Sequence, residues 1–380
     1  MKLKKDFLCY SAIVLYLFNI IFFNGLKWNE NIIKFSHFLG GITKILIFII
    51  LFIYFTMDIK KYIIEGNIND KKRLLIFLSL VFSYFTFLIT KSDTLLWTNI
   101  FIYLTNRKTL DKKYKVYFKT ILTILIMLII CNILGLTINK QTIFSYGTGN
   151  SLGMSHPNVL AALIVNITLL FCYTYTKERK IINTILPIVV AIIVLNYCCS
   201  RTAFIILVLY SMFTLFGFIT DKYNNKWLKK LIKAFMLLTI GLSICISIFN
   251  FSFFKTDDNN FNARFTQTRK IYEMYGIKPL GSNIKFITIE EAKTMNTRPI
   301  ILDNAYSRLI LYYGIISTIF FIFYIIYLIN QGYKIKNNRY MKIILLFIIY
   351  GIMEKYLLMF AYNFTLMGIE TNELGGDSGE

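Results

Sequence analysis

Across 380 residues, 56% apolar composition, a mean hydropathy of +0.59 and only four prolines exclude a pair of soluble domains and point to one membrane domain. The net charge of +22 raises nucleic acid as a partner. The cations, however, fall in short alternate loops between apolar runs, which is a topology signal and argues against nucleic-acid binding.

In chain order, the runs Phe7–Asn24, Phe38–Thr56, Leu74–Thr90, Val116–Leu136, Pro157–Thr176, Ile181–Cys199, Thr202–Thr220, Leu231–Phe254, Ala305–Asn330 and Met341–Tyr362 read as membrane-spanning helices. Asp93–Thr105 is a shorter addition, giving about eleven helices, within a range of roughly ten to twelve, in an all-α polytopic fold. One integral membrane domain covers 1–370, and the Gly-rich tail 371–380 reads as disordered. No small-residue cleavage signal flanks the first run, so it reads as a retained anchor with its N-terminus in the cytoplasm.

With that orientation, the basic loops Lys2–Lys5, Lys60–Arg73, Arg107–Lys115, Lys177–Lys180, Lys222–Lys230 and Lys334–Arg339 share the inner face. Outward lie Lys27–Ser36, Lys91–Asp93, Asn139–His156, the Ser200–Arg201 corner, the long loop 255–303 between the ninth and tenth helices, and the C-terminus. The six cysteines all sit in apolar runs without CxxC spacing, and two histidines leave no basis for a His metal site.

The long loop exceeds ordinary connections, which points to function or internal helices. Its stretch Asn262–Tyr275 spaces Phe265, Ile271, Tyr272 and Tyr275 helically and stops at Gly276, predicting an interfacial helix. Its cations either attract an anion or are a solvated mixture with neighbouring carboxylates. Arg201 and Arg308 stand within a turn of the ends of their spans, where an ionisable side chain is costly unless paired or functional. Arg201, in "NYCCSRTAF", has no carboxylate close in sequence, so it either binds an anion or snorkels to the headgroups.

A glycine-rich outer loop ending in "SHPN", then "SRT", then "NARF" and "YGIKPLGSN", then "DNAYSRLILYYGI" and a late "MEKYLLMFAYNF" resemble, in this order, the Wzy-type polysaccharide polymerases of the O-antigen ligase superfamily. The resemblance covers about Ser145 to Phe364. It implies a multi-pass glycosyltransferase of the bacterial cytoplasmic membrane with its active site facing outside. Such an enzyme polymerises undecaprenyl-diphosphate-linked oligosaccharide repeat units into a capsule or exopolysaccharide. It implies no nucleotide sugar, metal or other cofactor, and a flippase and a chain-length regulator as protein partners.

The chemistry of such a reaction assigns roles. A leaving diphosphate needs arginines, whose planar fork binds phosphate oxygens and stays charged. Arg201 and Arg264 match the family's positions, with Arg308 or Arg269 as a third. The acceptor hydroxyl needs a base. The ligases place a histidine near the end of the long loop, where this chain has Asp303, which favours polymerase. Asp303 is the base, the cap of the helix that follows, or an arginine's partner. His156 is a base or a positioning residue before Pro157 and Asn158, and Glu354 is catalytic or a structural hydrogen-bonding group inside a span. Asn158, Asn304 and Tyr306 are candidate sugar contacts, and Tyr146 and Tyr275 are candidates for stacking on sugars. The alternatives are ligase-like transfer to another acceptor and a lipid-linked sugar transporter or flippase, for which broken helices or internal repeats around a midplane site would be the signature; the sequence shows no such repeat, and its polar groups gather outside.

Overall fold

Backbone amides and carbonyls find no water in hydrocarbon, so apolar runs of this length satisfy them internally as helices. The computed structural model describes residues 2–65, 71–105, 112–144, 146–176, 179–215, 225–248, 259–287, 289–297 and 299–369. In chain order the elements are α1 (Lys2–Leu17, continued as a π-turn Phe18–Phe23), α2 (Glu30–Glu65), α3 (Lys71–Thr90), α4 (Thr94–Thr105) and α5 (Lys113–Ile133). A hairpin follows, β1 (Gln141–Phe144) and β2 (Gly147–Asn150), then α6 (Pro157–Thr174), α7 (Lys180–Cys198), α8 (Arg201–Leu215), α9 (Asn225–Ile248) and α10 (Asn259–Tyr275). The chain ends with α11 (Ile289–Thr294), α12 (Ala305–Ser307), a π-turn Arg308–Tyr313, α13 (Gly314–Lys334), α14 (Asn338–Met353) and three short 3₁₀ turns.

The protein is a helical membrane protein. Among the described residues six helical stretches are long and apolar enough to cross a bilayer: Lys5–Phe23, Glu30–Met57, Lys113–Ile133, Pro157–Thr174, Lys180–Cys198 and Ala305–Lys334. The shorter apolar helices include α4, whose twelve residues reach about 18 Å, and Arg201–Leu215. The end of the expected ninth span and the tail 371–380 lie outside the described residues, as does Arg298. The helix expected in the long loop is present as α10, starting three residues earlier and ending where Gly276 turns left-handed at φ +64°.

The expected last span, Met341–Tyr362, is corrected. Helix α14 stops at Glu354, whose backbone is extended (φ −137°, ψ 140°), and the chain continues through 3₁₀ turns at Lys355–Leu358, Phe360–Tyr362 and Phe364–Met367. Non-helical backbone survives in such a protein only where neighbouring groups bond it, and here side chains do so. Thr98 Oγ1 donates to the Leu358 carbonyl (3.0 Å) and accepts from the Phe360 amide (3.3 Å). The Asn166 side chain accepts from the Phe364 amide (3.0 Å) and donates to Tyr117 Oη (3.0 Å).

The chain divides into two compact units, the first formed by the described parts of Met1–Lys71, Leu104–Phe218 and Ala361–Glu380, the second by those of Lys72–Tyr103 and Ile219–Phe360. In the first unit Lys113, only 1% exposed, donates from Nζ to the carbonyls of Met367 (2.8 Å), Thr105 (3.2 Å) and Ile369 (3.4 Å), and Tyr114 Oη donates to Gly368 O (2.6 Å). The segment Met367–Ile369 therefore returns to the side of α5's first turn, and not to the opposite face as expected from an unbroken final span. Charged hydrogen bonds contribute about 1.5–3 kcal/mol each. Lys113→Met is therefore expected to destabilise the fold by about 3 kcal/mol or more, seen as a lowered thermal midpoint in detergent.

At the other end of the first unit, the α1–α2 connection is stitched into the segments that flank the hairpin. Leu26 bridges Met154 and Trp28 bridges Thr137, with Lys27 N donating to Gly153 O (2.7 Å) and Ile138 N to Lys27 O (2.8 Å).

Candidate functional site

In the first unit, the hairpin pairs Gln141 with Asn150 and Phe144 with Gly147, and its second strand lies against the α7–α8 corner. Gly149 makes that approach possible: a Cβ there would stand 2.5 Å from the Cys198 carbonyl oxygen. The corner is sharp because Cys199, which ends α7, is left-handed at φ 52°. Tyr146 Oη donates to the Cys199 carbonyl (3.2 Å), and its ring stacks on Phe144 at 5.5 Å with 17° between planes.

Arg201, the first residue of α8, lays its guanidinium over the Tyr146 ring, 3.5 Å from the centroid. It is exposed, and no carboxylate among the described residues pairs with it. A stacked guanidinium keeps its edge N–H groups for a ligand, and the N-terminus of α8 adds the positive end of a helix dipole. His156 meets the same platform edge-on, 6.1 Å from the Phe144 ring.

His156 is the N-cap of α6: its Nδ1 accepts the Asn158 amide hydrogen at 3.1 Å. An accepting Nδ1 places the proton of the neutral ring on Nε2, where it donates. The arrangement suits a positioning donor better than a base. Asn158 stands in the first turn of α6 with its backbone held by that cap.

The second unit gathers another set. Lys355 is within electrostatic reach of Arg308, Asp303 and Glu354. Arg308 packs its guanidinium over Phe286 (4.6 Å) and Tyr312 (5.1 Å) and donates to the Leu302 carbonyl (3.3 Å). Glu354 is buried at 3% exposure, whereas Asp303 is half-buried. Two cations thus face two carboxylates, so this cluster has no surplus positive charge for an anion, in contrast to Arg201.

Backbone locking holds this cluster. The π-turn at Arg308–Tyr313 ends at Gly314 (φ +90°), and the loop segment Lys278–Ser282 takes up the backbone groups there. Ser282 N donates to Tyr312 O (3.0 Å), Ile315 N to Lys278 O (3.2 Å) and Ile316 N to Pro279 O (3.1 Å). Gly281 (φ +85°) and Gly314 interlock, since a Cβ on Gly281 would collide with the Tyr312 carbonyl and one on Gly314 with the Gly281 amide. The motifs "YGIKPLGSN" and "DNAYSRLILYYGI" therefore meet backbone to backbone.

Several expected roles are corrected. Asn304, and not Asp303, caps the helix: its Oδ1 accepts the amides of Tyr306 and Ser307 (both 2.9 Å), and its Nδ2 donates to Ile352 O (2.7 Å). That commitment withdraws Asn304 from sugar contact. Tyr306 is fully buried with its hydroxyl on Ile348 O (2.8 Å). Tyr146 carries Arg201 in place of a sugar. Arg269 is engaged by Glu273 one turn on, Nε to Oε1 at 2.6 Å, a surface pair of small energy. Arg264 lies in α10, and its side chain is outside the described residues.

Sequence reasoning passed over Phe144, Phe286 and Lys355. The only signal for Lys355 was a second charge beside Glu354 in an apolar run. Among the described residues no group of three or more His, Cys, Asp or Glu side chains is placed to hold a metal ion. No protein-family model, curated protein or solved structure matches the chain.

Proposed function

We propose that the chain is a glycosyltransferase of the bacterial cytoplasmic membrane, polymerising undecaprenyl-diphosphate-linked repeat units on the outer face. The observation that carries this reading is Arg201, exposed, stacked on Tyr146 at a helix N-terminus and free of any carboxylate partner among the described residues. That geometry suits an anion whose charge grows as a bond breaks. The bond broken joins the donor sugar's anomeric carbon to the diphosphate, and the diphosphate leaves as an anion held by Arg201. The acceptor hydroxyl forms the new bond as its proton passes to a general base.

The interrupted helices favour a second reading, transport of the lipid-linked sugar. The π-turn at Arg308–Tyr313 and the break at Glu354 put charged residues at discontinuities, as transporters do. Both readings are tested by supplying purified protein in nanodiscs with the lipid-diphosphate-linked repeat unit and resolving products on a gel. A ladder formed in chelator is the expected result. Consumption only with a different acceptor supports ligase-like transfer, and leaflet exchange without consumption supports transport.

A further inference from the structure

Helix α2 carries a row of cations toward the bilayer. Its buried side, with Ser36, Gly40, Leu51 and Tyr54, packs on α1 and its π-turn, where Asn19 Nδ2 donates to Gly40 O and Thr43 Oγ1, both at 2.6 Å. Its opposite side is lipid-facing in character, with Phe38 64%, Ile45 61% and Phe52 71% exposed. Along one shoulder between them run Lys34, His37, Gly41 and Lys44, spaced three, four and three residues apart. A 3.6-residue period sets these in one row about 15 Å long.

Lys34 and His37 are exposed, and Lys44 is half-exposed. None of the three has a hydrogen bond or ion pair among the described residues. Gly41 leaves a notch: nothing lies within 4 Å of where its Cβ would be. A lysine midway along an apolar helix is costly. Side chains on a helix lean toward its N-terminus, so Lys44 raises its ammonium toward His37 and Lys34. That end of α2 follows directly on Leu26 and Trp28, which are bridged to Met154 and Thr137 on either side of the hairpin that bears Tyr146.

We propose that this row is a lateral docking site for the diphosphate headgroup of the lipid-linked substrate, which it receives from the bilayer before transfer to Arg201. The inference rests on the function proposed above. Charge complementarity selects the diphosphate over a single-phosphate lipid: two ammonium groups and a ring N–H donor in line match its greater charge and its length, while Gly41 admits the headgroup between His37 and Lys44. Each lysine near a membrane surface adds attraction toward an anionic lipid headgroup.

The test uses the full chain in phosphatidylcholine nanodiscs with undecaprenyl diphosphate as the probe and phosphatidylglycerol as competitor, bound lipid being read by native mass spectrometry. The Lys34→Gln/His37→Gln/Lys44→Gln variant is expected to retain roughly tenfold less undecaprenyl diphosphate or lower still, with an unchanged melting profile. Gly41→Leu, which fills open space without altering charge, is expected to lower retention as well. Equal retention by wild type and both variants overturns the docking site, and a wild type that still forms the polymer ladder would leave the function reading standing. Parallel loss of both lipids shows a surface without preference and overturns the assignment to the diphosphate. A wild type that retains no undecaprenyl diphosphate overturns it too, and the ladder then decides the function reading separately.

Discussion

Arg201→Ala is expected to slow consumption of the lipid-linked repeat unit about 10²–10³-fold, the range for removing one donor aimed at developing charge. The protein should remain folded, because the Arg201 side chain is exposed and only its stacking on Tyr146 is lost. Arg201→Lys separates charge from geometry. An ammonium group cannot lie flat on the Tyr146 ring or offer a two-pronged edge to phosphate, so the lysine variant should stay within about tenfold of the alanine one. Tyr146→Phe keeps the ring and loses only the hydroxyl bond to Cys199 O, and should change the rate little. Tyr146→Ala removes the platform and should cost about fivefold, the worth of one exposed cation–π contact. Initial rates at saturating donor check the series, and full activity of Arg201→Lys would show that net charge alone suffices.

Gly281→Ala is expected to destabilise the second unit by about 3 kcal/mol or more. A left-handed backbone costs a non-glycine residue about 1–3 kcal/mol, and forcing a methyl group into closed space costs a further 1–3 kcal/mol or so. At Gly281 both penalties apply, since φ is +85° and the Tyr312 carbonyl occupies the site of the new Cβ. Gly276→Ala isolates the first penalty. Its φ is +64°, but nothing lies within 4 Å of its Cβ position, so only about 1 kcal/mol should be lost. Thermal midpoints of the two variants in one detergent should therefore differ by several degrees, and equal midpoints would show that the loop yields to the methyl group.

The helices legible in the sequence were those decided by local composition. α5, α6 and α7 begin and end within three residues of the expected limits, because continuous apolar character and Pro157 are local signals. The breaks were not legible. Arg308–Tyr313 reads as ordinary apolar sequence, and its π-turn depends on Lys278–Ser282 some thirty residues earlier in the chain. Glu354 was noticed as a costly charge inside a span, but the end of the helix there depends on Thr98 and Asn166, distant partners that no periodicity announces.

The site divides the same way. Arg201 stood out because a lone arginine opens an apolar run, whereas its platform required the hairpin to meet the α7–α8 corner across 53 residues. Asp303 and Asn304 are adjacent and equally good caps by residue type, and only the geometry chooses between them. Lys44 was hidden because one lysine in an apolar helix looks like ordinary snorkelling.

The return of residues 361–369 into the first unit has a consequence for biogenesis. Helices α1, α2 and α5 to α8 leave the ribosome well before the segment Phe364–Gly368, to which Asn166, Lys113 and Tyr114 bond. Chains are made at roughly 5–20 residues per second and usually mature from the N-terminus onward. Here the opening half waits, with a buried ammonium group and a buried amide only partly matched by Thr105 and Tyr117, until Phe364–Ile369 have been inserted. The segment that begins at Ala361 is a keystone, and a chain stopped just before it leaves the earlier helices without it.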